Sequence, residues 1–363
     1  MTDVWHDLQR LTAFLQREEL ADRFSGTVAV ERGGETIFSG AYGHAHLGLR
    51  VPNEVDTRMN IASITKMFTT VAVLQLVEDG ELSLDATLED LLPDVGIGSA
   101  ERITVRHLLC HRSGLGDYWN DRCRQRRSVL RTAEDYLALV EGDQPAFEPG
   151  TSTAYGNTGF VLLGGIVERT TGVDYDEYVR QNVCRRAGMS RAGHLQLDQV
   201  ADFAHGYTYV EWEGPPHPGR RTDNIFQYPV HGSAATAMYS SAPELVTFGL
   251  ALRSNQLVGE RYVRLMLRPG DGEEGYGTQD VPYSRGTAVG HGGRAFGAAT
   301  LLLFLPEVDA SVCVLSNYDR PADKLVFSQL DAMLAGDVDQ PAPALVAEPR
   351  RSSAHGPWTG GSI

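Results

Sequence analysis

The strand signals of this 363-residue chain fall at its two ends, and that placement limits its possible folds more than any other feature. Near the start, Gly26-Thr-Val-Ala-Val-Glu31 alternates in the manner of a strand, Arg32-Gly33-Gly34 supplies a turn, and Glu35 to Ala41 reads as a second strand. Together they predict a hairpin. Strand signals return at Ala298 to Leu305 and Ser311 to Leu315, on either side of a turn at Pro306-Glu-Val-Asp309. From about Leu91 to Asn255 the pattern is mostly helical, with long polar connections. Leu8, Leu11, Phe14 and Leu15 follow helical spacing within a first amphipathic helix over 1–20. A second helix opens near Ser63, runs through Met67, Val71, Leu74 and Val77, and ends at Asp79-Gly80 with Gly80 as its C-cap; a final helix spans Ala322 to Leu334. The reading is an α+β fold: an antiparallel sheet built from both chain ends, flanked by helices, with a helical insertion. Residues 1–92 and 256–336 then form a discontinuous sheet domain and 93–255 the inserted domain. The remainder, 337–363, is rich in Pro, Ala, Ser and Gly and reads as a disordered or loosely docked tail.

Composition narrows the partners. Apolar residues make up 42% and charged residues 22%, a globular balance. A net charge of −15 argues against general affinity for nucleic acid or anionic lipid, since both would be repelled. The one basic run, Arg122, Arg124, Arg126 and Arg127, reads as a solvated helix face. Residues 1–20 carry His, Asp, Arg and Glu throughout and lack the apolar core of an export signal. Ala298 to Leu305, the longest apolar run, is far short of the ~20 residues of a spanning helix. Cys110, Cys123, Cys184 and Cys313 sit far apart without metal-ligand spacing, so they read as free thiols in a reducing cytoplasm.

Three short motifs carry residues suited to nucleophilic chemistry. In Ser63-Ile64-Thr65-Lys66, helical i, i+3 spacing lets the lysine amine reach the serine hydroxyl. Serine needs such a base, and unpaired N–H groups at a helix start favour a developing oxyanion. Only Lys66 and Lys324 are lysines, so chance supplies roughly 0.1 such Ser-x-x-Lys pairs. Tyr155-Gly156-Asn157 offers a phenol that a nearby ammonium could tune, and an amide able to bond lysine and substrate together; its plainer reading is a turn tyrosine before a helix. Gly290-His291-Gly292-Gly293-Arg294 permits close backbone approach to a ligand, and as a strand edge beside the nucleophile it could present a second oxyanion N–H; its plainer reading is a glycine-rich turn with a structural histidine. Asp117-Tyr118-Trp119 follows a Ser-Gly-Leu turn, and Tyr118 and Trp119 are candidates for an acyl pocket. His44 and His46 have the alternate spacing of two metal ligands with no evident third, and His107 and His111 lack the Glu of a zinc protease; both pairs read as structural, and no metal or cofactor is called for. No Gly-x-Ser-x-Gly elbow occurs, which removes the α/β-hydrolase route to a serine esterase.

Taken together, the three motifs resemble the serine β-lactamase and penicillin-binding-protein superfamily, closest to its class C-like branch. That branch also holds esterases, D-amino-acid peptidases and amidases, and acyltransferases. The resemblance runs from about Gly26 to Leu334. It includes Ile61-Ala-Ser-Ile-Thr-Lys66, Ile103-Thr-Val-Arg-His-Leu-Leu-Cys-His-Arg-Ser-Gly-Leu115, Phe147-Glu-Pro-Gly150 leading into Tyr155-Gly-Asn157, and Gly290-His-Gly-Gly293 before a Leu-rich strand. It implies a β-lactamase/transpeptidase-like fold with Ser63 as acylated nucleophile, Lys66 as its proton partner, and Tyr155 as base for acylation and acid for the leaving group. Asn157 would orient substrate and Lys66, and the backbone N–H groups of Ser63 and Arg294 would form the oxyanion hole. Which of Lys66 and Tyr155 holds the proton at each step stays open. One departure is informative. Where lactamases and transpeptidases usually carry Lys-Thr/Ser-Gly, this chain has His291-Gly292-Gly293, with no fixed cation or hydroxyl for a carboxylate.

The expectation is a cytoplasmic serine acyl-enzyme catalyst acting on a small ester or amide donor. Its acceptor is water or an amine, the latter suiting a biosynthetic pathway. The alternatives are a true β-lactamase or D,D-peptidase, or a non-catalytic sensor that keeps the fold.

Overall fold

The computed structural model describes residues 8–198, 202–209, 220–267, 275–319 and 321–336. The N-terminal hairpin and the late strands meet in one six-stranded antiparallel sheet. Its strands are β1 (Gly26–Arg32), β2 (Glu35–Tyr42), β3 (Gln279–Tyr283), β4 (Gly286–Ala295), β5 (Ala298–Leu305) and β6 (Ala310–Ser316), in the order β3-β4-β5-β6-β1-β2. The chain ends are joined where β1 lies antiparallel to β6, from Gly26 opposite Ser316 to Arg32 opposite Ala310.

Helices cover both faces, and this explains why the late strands read as unbroken apolar runs. Leu301, Leu303 and Leu305 of β5, with Val312 and Val314 of β6, pack in a core with α1 (Leu8–Leu20), represented by Leu11, Phe14 and Leu15. Their neighbours Leu302, Phe304, Cys313 and Leu315 point into the second, larger core. That core also holds α2 (Thr65–Glu78), α3 (Thr158–Thr171) and α4 (Ala242–Arg253), while α5 (Ala322–Ala335) closes the first. Asp79 and Gly80 end α2 as the sequence suggests, with Gly80 at φ +75°. The four cysteines are free and buried.

The structure departs from the sequence reading in three places. Although α4 falls within 93–255, it lies on the sheet: Gly249 faces the Phe304 ring, and Arg253 pairs with Glu31 of β1 at 2.5 Å. The layers therefore do not follow the boundaries at 92 and 255. The middle of the chain also contributes short strands: Gly193–His194 and Met238–Ser240 join Met59–Asn60 from the N-terminal part in a small three-stranded sheet. Finally, Gly290–Arg294 is no turn: it lies within β4, a ten-residue strand. The predicted tail over 337–363 and the first seven residues of the predicted first helix lie outside the described residues. No helix among the described residues is long and apolar enough to cross a membrane.

Candidate active site

Ser63 sits in a single 3-10 turn, Ala62–Ile64, that feeds directly into α2. The turn is held in an unusual conformation: Ala62 adopts φ +47°, and its N–H donates to Asn60 Oδ1 at 2.8 Å. Thr65 braces it from the other side, donating to Ala62 O at 2.6 Å and accepting from Met238 N at 3.2 Å. β4 continues past Gly290, where its pairing with β3 ends, and passes the Ser63 turn. Gly293 is required there, since a Cβ would stand 2.8 Å from both Ala62 Cβ and Ile61 O.

Around this partly exposed serine the structure gathers the residues expected from sequence. The Lys66 Nζ lies 3.2 Å from Ser63 Oγ, and the Tyr155 hydroxyl donates to the same oxygen at 3.0 Å. Two further acceptors hold the amine: Asn157 Oδ1 at 2.6 Å and the Ala235 carbonyl at 2.8 Å. A neutral amine has two N–H bonds and one lone pair, so these acceptors leave the lone pair for the Ser63 proton. Burial pulls the Lys66 pKa down to about 7, with the Asp117 carboxylate opposing. Burial raises the Tyr155 pKa, opposed by its bond to Ser63, so the phenol keeps its proton at neutral pH.

His291 is almost fully buried, and its Nδ1 donates to the Gly292 carbonyl while Nε2 has no protein partner. Burial, with Lys66 nearby, lowers its pKa to about 3, so it presents a neutral ring. Gly292 and Arg294 are partly exposed in β4 beside the Ser63 turn.

Tyr118 and Trp119 separate. Tyr118 is fully buried and its hydroxyl bonds Ser233 Oγ at 2.8 Å, so it is a core support and not a pocket wall. Trp119 stays partly exposed, edge-on to Tyr228 and Phe296 at 5.8 and 6.4 Å, in an apolar cluster that includes Ala62 and Ala295. Sequence reasoning did not assign Asp117 its place: it accepts from Asn157 Nδ2 at 2.8 Å and from Trp119 N at 3.0 Å. The Ala235 carbonyl was missed altogether, because a backbone acceptor leaves no mark on residue type. His111 packs under Tyr155, ring centroids 4.5 Å apart, while His107 closes a capping box with Thr104; both are structural. Two arginines of the basic run have acidic partners, Arg122 with Asp143 and Arg124 with Asp121, and Arg127 bonds the Phe226 and Arg124 carbonyls.

The histidine pair near the hairpin has company the sequence did not show. His46, though not His44, lies by His205 and Asp223 in a group whose ligand atoms fall within 4.8 Å of one another. Within this group His46 Nδ1 accepts from Leu49 N at 3.1 Å, and His205 Nδ1 meets Asp223 Oδ2 at 2.7 Å.

A serine in the turn that feeds a buried helix, a lysine in that helix's first turn, a tyrosine from a crossing loop and a glycine-rich strand alongside define a class of acyl-transferring enzymes. A family model described as Beta-lactamase matches residues 14–332, and the chain belongs to that family. Penicillin-binding protein 4* of Bacillus subtilis is 26% identical over 322 residues, covering 83% of this chain and 70% of that protein. Esterase EstB of Burkholderia gladioli is 31% identical over 281 residues, covering 68% and 70%. Among solved structures, the penicillin-binding protein from Bacillus halodurans matches with a TM-score of 0.79 at 30% identity, covering 89% of this chain and 99% of that one. The fold is β-lactamase/transpeptidase-like, and the chain is an enzyme of this family of hydrolases and acyltransferases.

Proposed function

We propose that this chain cleaves an ester or amide through a Ser63 acyl intermediate and passes the acyl group to water or to an amine. The observation that carries the reading is the position of Ser63 Oγ, 3.2 Å from the Lys66 amine and 3.0 Å from the Tyr155 hydroxyl. Near pH 7 a large share of Lys66 is neutral, and its lone pair takes the Ser63 proton as Oγ bonds the substrate carbonyl carbon. The carbonyl electron pair moves onto oxygen, and the backbone N–H groups of Ser63 and Arg294 donate to it. When the carbonyl re-forms, the leaving alcohol or amine takes a proton from the Tyr155 phenol, which regains one from the Lys66 ammonium. Water or an amine then attacks the acyl carbon and loses its proton along the same path. Lys66 is thus the base and Tyr155 the donor, an order favoured by the raised pKa of the phenol.

The neutral His291 supports neutral esters and amides over carboxylate-bearing β-lactams, because no cation replaces the usual lysine of that strand. The aromatic group of Trp119, Tyr228 and Phe296 favours an apolar acyl part. Four free, buried cysteines agree with a cytoplasmic setting, where transfer to an amine in a biosynthetic pathway is a useful outcome. Covalent labelling tests the reading. A fluorophosphonate should add to the wild-type protein and not to Ser63→Ala, with intact mass as the readout; labelling that persists at another serine would overturn it.

A further inference from the structure

The carbonyl that helps aim Lys66 belongs to a tight turn with its own support. Ser233 and Thr236 exchange backbone hydrogen bonds, each 2.9 Å, leaving Ala234 and Ala235 at the tip. Both tip carbonyls grip α2: Ala234 O accepts from Thr69 Oγ1 at 2.6 Å and Ala235 O from Lys66 Nζ at 2.8 Å. The stem carbonyls are gripped from below. His194 Nε2 lies 3.0 Å from Ser233 O and 3.3 Å from Thr236 O, and its Nδ1 lies 2.7 Å from Asp176 Oδ1. The other Asp176 oxygen meets His231 Nε2 at 2.8 Å, and His231 Nδ1 faces the Gly232 carbonyl at 3.0 Å. All four ring nitrogens therefore face oxygen acceptors. A neutral imidazole can donate from one nitrogen only, so the pattern fits two imidazolium rings sharing one carboxylate.

The surroundings of His231 favour its charged form. Burial works against a charged His231, but its bond to Asp176 outweighs this and its pKa is raised. Burial opposes ionised Asp176 too, and the two histidines outweigh it and lower its pKa. Asp174 and Tyr175 face the cluster from its own helix, Glu168 from α3, and Tyr136 from the Ala133–Val140 helix, its hydroxyl donating to His231 O at 2.6 Å. Glu134 and Asp135 lie nearby on that last helix. Arg131 is the cation at the mouth of the crevice leading to Asp176 and His231, and Asp198 pairs with it at 2.6 Å. Both histidine side chains are buried, 1% and 8% exposed, while Asp176 is 32% exposed and gives the cluster contact with solvent.

We propose that Asp176, His194 and His231 form a proton-dependent clamp that holds the Ser233–Thr236 turn, and through Ala235 O aims the Lys66 lone pair at Ser63. The proposal rests on the acyl-enzyme reading of the site. His194 is a positioning residue that never touches substrate. When pH rises and the cluster loses a proton, one ring nitrogen turns from donor to acceptor while still facing an oxygen, and that contact opens. The turn loosens, and Lys66 loses one of the two acceptors that orient it.

Two measurements test this. Two-bond proton–nitrogen NMR of 15N-histidine protein at pH 7, assigned with His194→Gln and His231→Gln, should show both rings doubly protonated. A neutral-tautomer pattern for His194 at pH 7 overturns the clamp, whatever the protein does to esters. The second measurement is a pH profile of ester turnover. His194→Gln keeps a donor for the turn but cannot titrate. It should lower kcat about tenfold to a hundredfold at pH 7, leave KM nearly unchanged and erase the alkaline limb seen in wild type. A His194→Gln profile that superimposes on wild type after scaling also overturns the proposal. Should His194→Gln fail to fold, the wild-type NMR spectra with His231→Gln decide the matter. Doubly protonated rings in a protein that never labels at Ser63 overturn the acyl-enzyme reading and leave the ion cluster standing.

Discussion

Lys66 shows how far a residue's surroundings redefine it. As one of two lysines it stands out in the sequence, but its chemistry comes from complete burial, which disfavours the ammonium. Activity toward a neutral ester should therefore rise as pH climbs through about 7, where the amine loses its proton. An acid limb lying below 7 but above the ordinary carboxylate range would assign the titration to Asp117 instead, whose pKa burial raises. The same shift bears on stability. The unfolded lysine binds a proton that the folded amine releases, so stability should increase with pH between about 7 and the ordinary lysine value of 10.5. Lys66→Met should flatten that slope in urea titrations and lower turnover by about 10²–10⁴-fold. Tyr155→Phe removes a hydroxyl at almost constant volume, so a loss in kcat with little change in KM would follow from lost proton donation. Loss of affinity alone would make Tyr155 a pocket wall. Ser63 and Lys66 stood out by residue type and helical spacing, while Tyr155 and Asn157 gained their roles only from the family resemblance of the three motifs together. Tyr118 was misread because sequence separates a pocket phenol from a buried one only through the partner it finds, here Ser233.

Among the elements, β4 is the instructive one. Glycine is depleted in strands, so Gly290 to Gly293 read as a turn, yet here the absent side chains let β4 pass close to the Ser63 turn. In Gly293→Ala the new Cβ would meet Ala62 and Ile61, both fixed by the turn that presents the nucleophile. Relief requires β4 or the turn to move, at about 1–3 kcal/mol of stability, and kcat should fall more steeply than the melting temperature suggests. Near-wild-type turnover in Gly293→Ala would show that the approach of β4 is not needed for catalysis. By contrast β5 and β6 were found with nearly their observed limits, Ala298–Leu305 and Ala310–Ser316. Their apolar runs have one compatible use, a strand covered on both faces, and no special backbone feature competes with it.

At the scale of the whole molecule, the sheet brings β4 alongside a turn that enters α2, while the Tyr155 loop and the Ser233–Thr236 turn arrive from the middle of the chain. Such a site excludes water only in part, so acceptors compete for the acyl-enzyme. Adding amines to an ester reaction should divert acyl groups from acid to amide, speeding turnover wherever deacylation is limiting; mass analysis of the products separates the two. Acid as sole product across a broad amine panel would favour a plain esterase, and efficient turnover of penicillins would remove the argument from His291. The sequence by itself determined the α+β class, the hairpin and late strands, the buried nucleophile helix and the Ser63–Lys66 pair of the site, because periodicity and side-chain chemistry are local properties. Only the tertiary structure decided that α4 joins the sheet, that Asp117 and Ala235 O orient Asn157 and Lys66, and that Asp176 meets two histidines. Those contacts join residues far apart in the chain, several of them through backbone atoms common to every residue, so their energetics exist only once the chain has folded.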